Sequence, residues 1–220
     1  MTPLIRLSET LALHSVEDAL SAADLDQLRK VVDTEPAPPE FSPEMGVYAP
    51  APALAEEILH AAVERALPTI RRLFPSARQD SAWKYVELRE GQRVATHVDG
   101  IPDPGTAPRR VARLAVTLQR ADAGGEFYVE TTSSPALWTG DTAGEAEGFA
   151  PGTPLTRVLP HIHEHSREAN WLTAAQRTRW TTDAAPGVLL VYGAQVLHGV
   201  TPVRSGRLRK FVADLTDTPA

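Results

Sequence analysis

The sequence predicts an α+β protein in which two helices precede a part rich in strands, folded as a sandwich or barrel. The first observation is a pair of stretches with apolar residues at helical spacing, both within the first 80 residues. The second is a series of short β-branched and apolar segments after Ala82, most of them bounded by Gly, Pro or Asp. Many short strands that follow two helices are typical of helices packed on a sandwich or barrel.

Each of the two helices has a signal at its start. Ser21 and Asp24 resemble a capping box, with Asp in place of the usual Glu or Gln, and the apolar spacing that follows predicts a helix ending near Asp33. Pro52 suits the first turn of the second helix. Pro68 is expected to kink or split that helix, because proline lacks the backbone N–H that a helix interior needs.

The rest of the chain is predicted as strands and connections. Residues 4–16 hold a candidate short strand, and the proline-rich stretch 34–53 is interpreted as an irregular connector. Residues 132–186 form an unusually long connection, in which 173–182 is a candidate short helix. The predicted strands are 82–89, 93–98, 111–119, 125–131, 187–192, 195–200 and 207–215.

Length and composition limit the classes of function. A chain of 220 residues suits a single domain, with 1–80 as helical support and 82–215 as the core. The net charge of −6, without a basic cluster, argues against nucleic-acid binding. The chain has no cysteine, which excludes disulfides and thiolate metal sites. Neither a membrane span nor a signal peptide is apparent, so we expect a cytoplasmic protein. We further expect a monomer or homodimer that acts on a small molecule.

Two separated segments carry candidate metal ligands. His97 and Asp99 are two residues apart, so in an extended segment both side chains point to one face. Alone the pair is weak evidence, since a surface loop pair has the same pattern. His198 lies in a strongly apolar segment, either as a satisfied core histidine or as a ligand. Two histidines and one carboxylate would leave open positions on an octahedral ion, as in Fe(II) oxygenases.

The segment after His198 carries a family resemblance. Residues 197–207 read LHGVTPVRSGR, close to the run LHxVxPVxxGxR of the prolyl-4-hydroxylase-like branch of the Fe(II)/2-oxoglutarate dioxygenases. Gly124, Gly125 and Glu126 match the GGE strand opening of that family, and Gly91 lies where the family has its YxxG turn. The chain resembles this family from about residue 82 to 215.

The resemblance implies a double-stranded β-helix, a jelly-roll core of the cupin type, with the N-terminal helices packed on it. It further implies Fe(II) held by His97, Asp99 and His198, with 2-oxoglutarate and O2 as co-substrates and ascorbate as a possible reductant. Arg207, nine residues after the distal histidine, would bind the far carboxylate of 2-oxoglutarate, with Arg209 as second choice. The expected activity is hydroxylation or desaturation of a C–H bond in a small molecule such as an amino acid.

The sequence departs from the family at one position. Leu88 stands where many members have a tyrosine that binds 2-oxoglutarate, and Tyr85 is the nearest possible substitute.

Four further residues are candidates for contact with the substrate: Arg113, Glu126, His163 and Trp171. His163 belongs to the run His161 to His165, whose alternating histidines suggest a second metal site less strongly than a lining of the active-site mouth.

Three other functions remain open at this level. A prolyl or peptide hydroxylase that acts on a protein would share every residue named above. A cupin-type metal hydrolase or isomerase would use similar ligands without 2-oxoglutarate. A jelly roll that only binds a sugar or peptide is the third, and the complete set of three candidate ligands argues against it.

Overall fold

The computed structural model describes residues 3–34, 40–42, 46–159, 169–182 and 184–218. Its helices are α1 (Leu7–Thr10), α2 (Ala22–Thr34), α3 (Ala53–Ile70) and α4 (Asn170–Thr173). Its strands are β1 (Leu13–Val16), β2 (Glu40–Ser42), β3 (Gly46–Pro50), β4 (Gln79–Asp80), β5 (Lys84–Arg89), β6 (Val94–His97), β7 (Arg110–Gln119), β8 (Ala123–Gly124), β9 (Phe127–Thr132), β10 (Trp138–Ala143), β11 (Thr153–Thr156), β12 (Arg177–Thr182), β13 (Leu189–Gly193), β14 (Leu197–Val200), β15 (Val203–Ser205) and β16 (Arg207–Thr216).

Two antiparallel sheets form the core. The larger sheet has the order β1-β13-β7-β16-β5-β3-β2, with β4 added beside β16, and the smaller sheet has the order β12-β9-β14-β6. Strands that follow each other along the chain alternate between the two sheets, as from β6 to β7, β7 to β9 and β13 to β14. This alternation is the winding of a double-stranded β-helix, so the predicted jelly-roll fold is confirmed.

Each strand of the larger sheet divides its side chains between two apolar layers. On β16, Phe211 and Ala213 pack with α2 and α3, whereas Leu208 and Val212 face the space between the sheets. Neighbouring strands follow the same rule because successive side chains in a strand point to opposite faces. An even-numbered position on β16 therefore faces the interior of the jelly roll, and an odd-numbered position faces the helices.

The seven strands predicted after residue 82 are found with their ends shifted by at most two residues, and the candidate strand within 4–16 is β1. Three local expectations are wrong. The second helix is not split, because α3 runs through Pro68 and ends only two residues later, in its last turn. The connector 34–53 contains β2 and β3, and β3 pairs with β5. Residues 177–182 form the strand β12, which pairs with β9, instead of a helix. The β-branched threonines and the aromatic Trp180 in this segment favour a strand.

The long connection 132–186 is partly built into the core. Within it, β10 and β11 pair with each other, and Phe149 forms a parallel bridge with Ile5 near the N-terminus. Both bridge residues are fully buried in the same apolar layer as the helices. The described part of this connection therefore supports the fold rather than hanging free over it.

No helix in the described part of the chain is long and apolar enough to cross a lipid bilayer.

Replacing Phe149 by alanine should lower the free energy of unfolding by about 3–5 kcal/mol, because a fully buried phenylalanine leaves a cavity behind. Urea unfolding followed by circular dichroism measures the change. Leu54→Ala, at a position 46% exposed on α3, is the control and should change the free energy by less than about 0.5 kcal/mol. Equal effects of the two substitutions would contradict a supporting role for the connection 132–186.

Candidate metal centre

His97, Asp99 and His198 come together between the sheets. His97 is the last residue of β6, and it lies directly opposite His198 in the pairing of β6 with β14. The two imidazole rings are 4.0 Å apart between centroids. One ligand atom from each of the three residues lies within 4.8 Å of the others. The three residues that sequence analysis singled out are thus close enough to bind one ion.

Backbone carbonyl groups orient both imidazole rings. His97 Nδ1 donates to the Ala95 carbonyl at 3.0 Å, and His198 Nδ1 donates to the Val196 carbonyl at 2.9 Å. Because a carbonyl oxygen only accepts, each Nδ1 carries the proton and each Nε2 has a lone pair. This is the tautomer in which histidine binds a metal through Nε2, with its other nitrogen held by the protein.

The protonation states also suit metal binding. Burial, with the neighbouring histidine as a smaller cause, lowers the pKa of His97 to about 3. Burial lowers the pKa of His198 to about 4. Burial alone would raise the pKa of the Asp99 carboxyl, but the nearby Arg113 guanidinium holds that pKa well below its usual range. Two neutral imidazoles and one carboxylate result, which are the ligand forms of these residues.

Two arginines of β7 and one aspartate of β16 surround the Asp99 carboxylate. Arg113 Nε lies 3.3 Å from Asp99 Oδ2, and Arg113 Nη1 lies 2.6 Å from Asp214 Oδ1. Arg110 Nε is 2.9 Å from the same Asp214 oxygen, and Arg110 Nη1 is 3.8 Å from Asp99 Oδ1. Asp99 is therefore oriented by charged groups as well as by the turn after β6.

The pocket that contains the histidines also has two cationic side chains in its lining. Arg113 is one of them and Lys210 is the other, and the apolar part of the lining includes Val86, Phe127, Tyr192, Val200 and Val212. A further cavity of about 330 Å³ shares Lys210, Phe127 and Val200 with this pocket. Lys210 therefore lies where the two spaces meet.

Lys210 is buried without a partner. Its side chain takes part in no hydrogen bond or ion pair with the described part of the chain. Burial, and to a smaller degree Arg113, lowers the pKa of its ammonium group to about 8. No motif in the sequence indicates this residue. Its even-numbered position on β16 was the available signal, because that position faces the same interior as Leu208 and Val212.

The three residues expected to bind 2-oxoglutarate lie elsewhere. The Arg207 side chain is 45% exposed and lies 4.0 Å from Glu87. Arg209 donates to Asp33 and to the Tyr85 hydroxyl, at 2.8 Å each. Arg209 and Tyr85 lie on the side of the larger sheet that faces the helices, so neither points into the pocket. Parity could not separate Arg207 from Arg209, and it places both on the side away from Lys210.

The expected substrate contacts are divided. Arg113 lines the metal pocket, whereas Glu126 accepts from Thr201 at the opposite end of β14 from His198. Trp171 packs against a small apolar cluster that includes Leu197, whose side chain points away from the metal. His163 and its neighbouring histidines lie outside the described residues.

Trp180 has a clearer relation to the metal than Trp171. The strand pairing places it in one row with the two histidines, in the order His97, His198, Val129, Trp180. Residues in one cross-strand row lie on the same face, and adjacent strands are about 4.8 Å apart. Its indole is 58% exposed. Trp180 therefore lies on the same face of the smaller sheet as the histidines, about two strands from His198, outside the lining of the metal pocket.

Solved structures with the same fold were found for almost the whole chain. A prolyl-4-hydroxylase of Pseudomonas putida aligns with a TM-score of 0.56 and 16% identity, over 94% of each chain. HygX of Streptomyces hygroscopicus, with nickel and 2-oxoglutarate bound, aligns with a TM-score of 0.60 and 10% identity, over 94% of this chain and 84% of HygX. The chain has the fold of these oxygenases.

A third structure with this fold has a peptide bound. It is a prolyl hydroxylase of Trichoplax adhaerens in complex with a peptide fragment of the hypoxia inducible factor oxygen degradation domain. It aligns with a TM-score of 0.58 and 10% identity, over 94% of this chain and 85% of that protein. No protein-family model matches the sequence, and no curated protein matches it significantly.

His198→Ala should weaken the binding of Co(II), used in place of Fe(II), by more than about 100-fold, because one of the three protein ligands is lost. Isothermal titration calorimetry on the purified chain measures the dissociation constant. His60→Gln is the control, since His60 is half exposed on α3 and pairs with Asp80 away from the pocket. A loss of affinity in the control that matches the loss in His198→Ala would refute the assignment.

Proposed function

We propose that this chain is a non-haem Fe(II)- and 2-oxoglutarate-dependent dioxygenase. In this proposal, His97, Asp99 and His198 hold the iron, and Lys210 binds the far carboxylate of 2-oxoglutarate. Lys210 replaces Arg207 and Arg209 in this role because its side chain lines the metal pocket and theirs do not. The substrate is proposed to be a small molecule.

The unpartnered Lys210 is the observation that carries the proposal. A buried ammonium group without a counter-charge is costly, so such a group usually pairs with an anion from the protein or from a ligand. The described residues supply no such anion. A metal hydrolase or isomerase would need the three metal ligands alone, whereas a dicarboxylate co-substrate accounts for the lysine as well.

The positions along β16 fit the length of that co-substrate. Asp214 marks the level of Arg113 and Asp99, and Lys210 lies four residues earlier on the same face. Four residues in a strand correspond to about 13 Å along its axis. A lysine side chain and a five-carbon dicarboxylate together span such a distance, with the 2-oxo acid end at the metal and the other carboxylate at Lys210.

The protein supplies orientation and exclusion of water around this chemistry. Bound iron, with 2-oxoglutarate and O2, would supply the oxidation of a substrate C–H bond, with succinate and CO2 as products. The two carbonyl contacts keep the imidazoles in the binding tautomer, and Arg113 keeps the Asp99 carboxylate in place. Phe127 and Tyr192 pack beside His198 and limit the access of water. Because Asp99 is present, hydroxylation or desaturation is favoured over halogenation, for which related enzymes lack this carboxylate.

A peptide or protein substrate is the second candidate. It is favoured by the prolyl hydroxylases among the structures with this fold, one of which has a peptide bound. An assay that offers proline-containing peptides and free amino acids side by side distinguishes the two.

The function is tested by adding Fe(II) and 2-oxoglutarate without O2 and recording the visible spectrum. A weak charge-transfer band is expected, because 2-oxoglutarate would bind the iron directly through its 2-oxo acid end. Admission of O2 should then produce succinate even without a substrate. A chain that binds the metal but shows neither band nor succinate is not an oxygenase of this class.

Lys210→Met should weaken 2-oxoglutarate binding by about 100-fold or more, since it removes a charge-assisted contact in a buried site. Arg207→Met and Arg209→Met are the matched controls on the same strand and should change it by less than about threefold. Titration of the charge-transfer band measures the dissociation constants. A larger effect of Arg207→Met would return the role to that arginine.

The pH dependence gives a second readout of the same contact. The ammonium form binds the carboxylate, and the pKa of Lys210 is about 8, so 2-oxoglutarate affinity should be high below that pH and fall as pH rises through it. In Lys210→Arg the guanidinium stays charged, and the fall should disappear. A fall of equal size in both proteins would assign the titration to another group.

A further inference from the structure

Asp214 binds both of the arginines that lie beside the candidate metal ligand Asp99. It stands directly opposite Arg113 in the pairing of β16 with β7. Asp214 Oδ1 accepts from Arg113 Nη1 at 2.6 Å, and Asp214 Oδ2 accepts from Arg110 Nη2 at 3.0 Å. The backbone of Asp214 is fixed as well, because it exchanges hydrogen bonds with Ser81 at 2.8 and 2.9 Å. Each oxygen of this carboxylate is therefore used by one guanidinium group.

The same two arginines approach Asp99 more loosely. Arg113 Nε lies 3.3 Å from Asp99 Oδ2, and Arg110 Nη1 lies 3.8 Å from Asp99 Oδ1. Within the described residues, the buried atoms Asp99 Oδ2 and Arg113 Nε form no hydrogen bond. The arginines thus place positive charge beside Asp99 but leave its Oδ2 without a hydrogen-bond partner.

This oxygen of Asp99 lies on the side of the metal centre. Asp99 Oδ2 is 3.9 Å from His198 Nε2, the atom that the tautomer of the ring leaves available to a metal. Buried carboxylate oxygens usually have a partner. A metal ion between Asp99 and the two histidines would supply one, so the arrangement of the arginines suits the binding of a metal.

The arrangement depends on the charge of Asp214. A guanidinium group binds a carboxylate best through two parallel hydrogen bonds. Among the described residues, Asp99 is the other carboxylate within ion-pair distance of Arg110 and Arg113. Without the charge of Asp214, both guanidinium groups would turn to Asp99 and occupy the oxygens that a metal needs. The surplus positive charge would also repel a divalent ion.

We infer that Asp214 is a positioning residue of the metal centre, which binds the arginine pair so that Asp99 remains available to the metal. This inference rests on the metal site of the proposed function and needs neither 2-oxoglutarate nor a substrate. Asp214 acts through Arg110 and Arg113, and its role differs in this respect from that of the three ligands.

Titrations with Co(II) on four proteins test this role. Asp214→Asn keeps the size of the side chain and one acceptor oxygen but loses the charge, and it should bind Co(II) at least about tenfold more weakly than wild type. Adding Arg110→Gln to that variant removes one of the two competing guanidinium groups and should restore most of the affinity. Arg110→Gln alone should bind Co(II) at least as tightly as wild type. Isothermal titration calorimetry measures the dissociation constants, and circular dichroism shows whether each variant is folded.

Asp217→Asn is the matched control. Asp217 directly follows β16, and its buried carboxylate also binds an arginine, with Arg109 Nη1 at 2.9 Å. The substitution leaves an arginine without its counter-charge, as Asp214→Asn does, but Arg109 forms its ion pair with Asp217 and not with Asp99. The affinity for Co(II) should change by less than about threefold, because the field of a more distant charge is screened more strongly.

The outcomes separate the inference from the function beneath it. An unchanged affinity in Asp214→Asn, or an equal loss in Asp217→Asn, overturns the inference. A double variant that binds no better than Asp214→Asn overturns it as well, because a role in folding alone gives no recovery. If Asp214→Asn fails to fold, Arg110→Gln decides, since weaker binding than wild type contradicts competition for Asp99. A wild-type chain that does not bind Co(II) contradicts the metal site of the proposed function itself.

Discussion

The antiparallel pairing of β6 with β14 is the constraint on which the candidate site depends. It places His97 opposite His198 although about 100 residues separate them in the chain, and the turn after β6 adds Asp99. A shift of one residue in this register would turn one imidazole to the other face of the sheet, because side chains alternate along a strand. The apolar layer between the sheets holds the register, since the same shift would expose its members to water.

Around this pairing, the larger sheet contributes charge where the smaller sheet contributes ligands. Arg113 on β7 and Lys210 on β16 line the same pocket as the two histidines. Arg113 is paired with Asp99 and Asp214, whereas Lys210 has no partner among the described residues, and a protein interior accepts such a cation only at a high cost. The proposed 2-oxoglutarate would supply an anion to Lys210. Stability of the chain without ligands is reduced for the same reason.

The described part of the connection 132–186 packs on the outside of the two-sheet core. Phe149 is buried with the helices, and the cluster around Leu197 covers the outer face of the smaller sheet beside the metal ligands. The edge strand β12 is less covered, and Trp180 is exposed there in the row of the histidines.

The sequence by itself determined the fold class, the strands and the three candidate metal ligands, because alternation, turn residues and the spacing after His198 are local properties of the chain. The predicted split at Pro68 is absent, because this proline lies in the last turn of α3. The predicted helix at 173–182 is replaced at 177–182 by a strand, because these residues pair with β9. Only the tertiary structure places Lys210, beside Arg113, in the lining of the pocket. Which face of β16 meets the metal depends on how two sheets pack, and spacing along one strand does not contain that information.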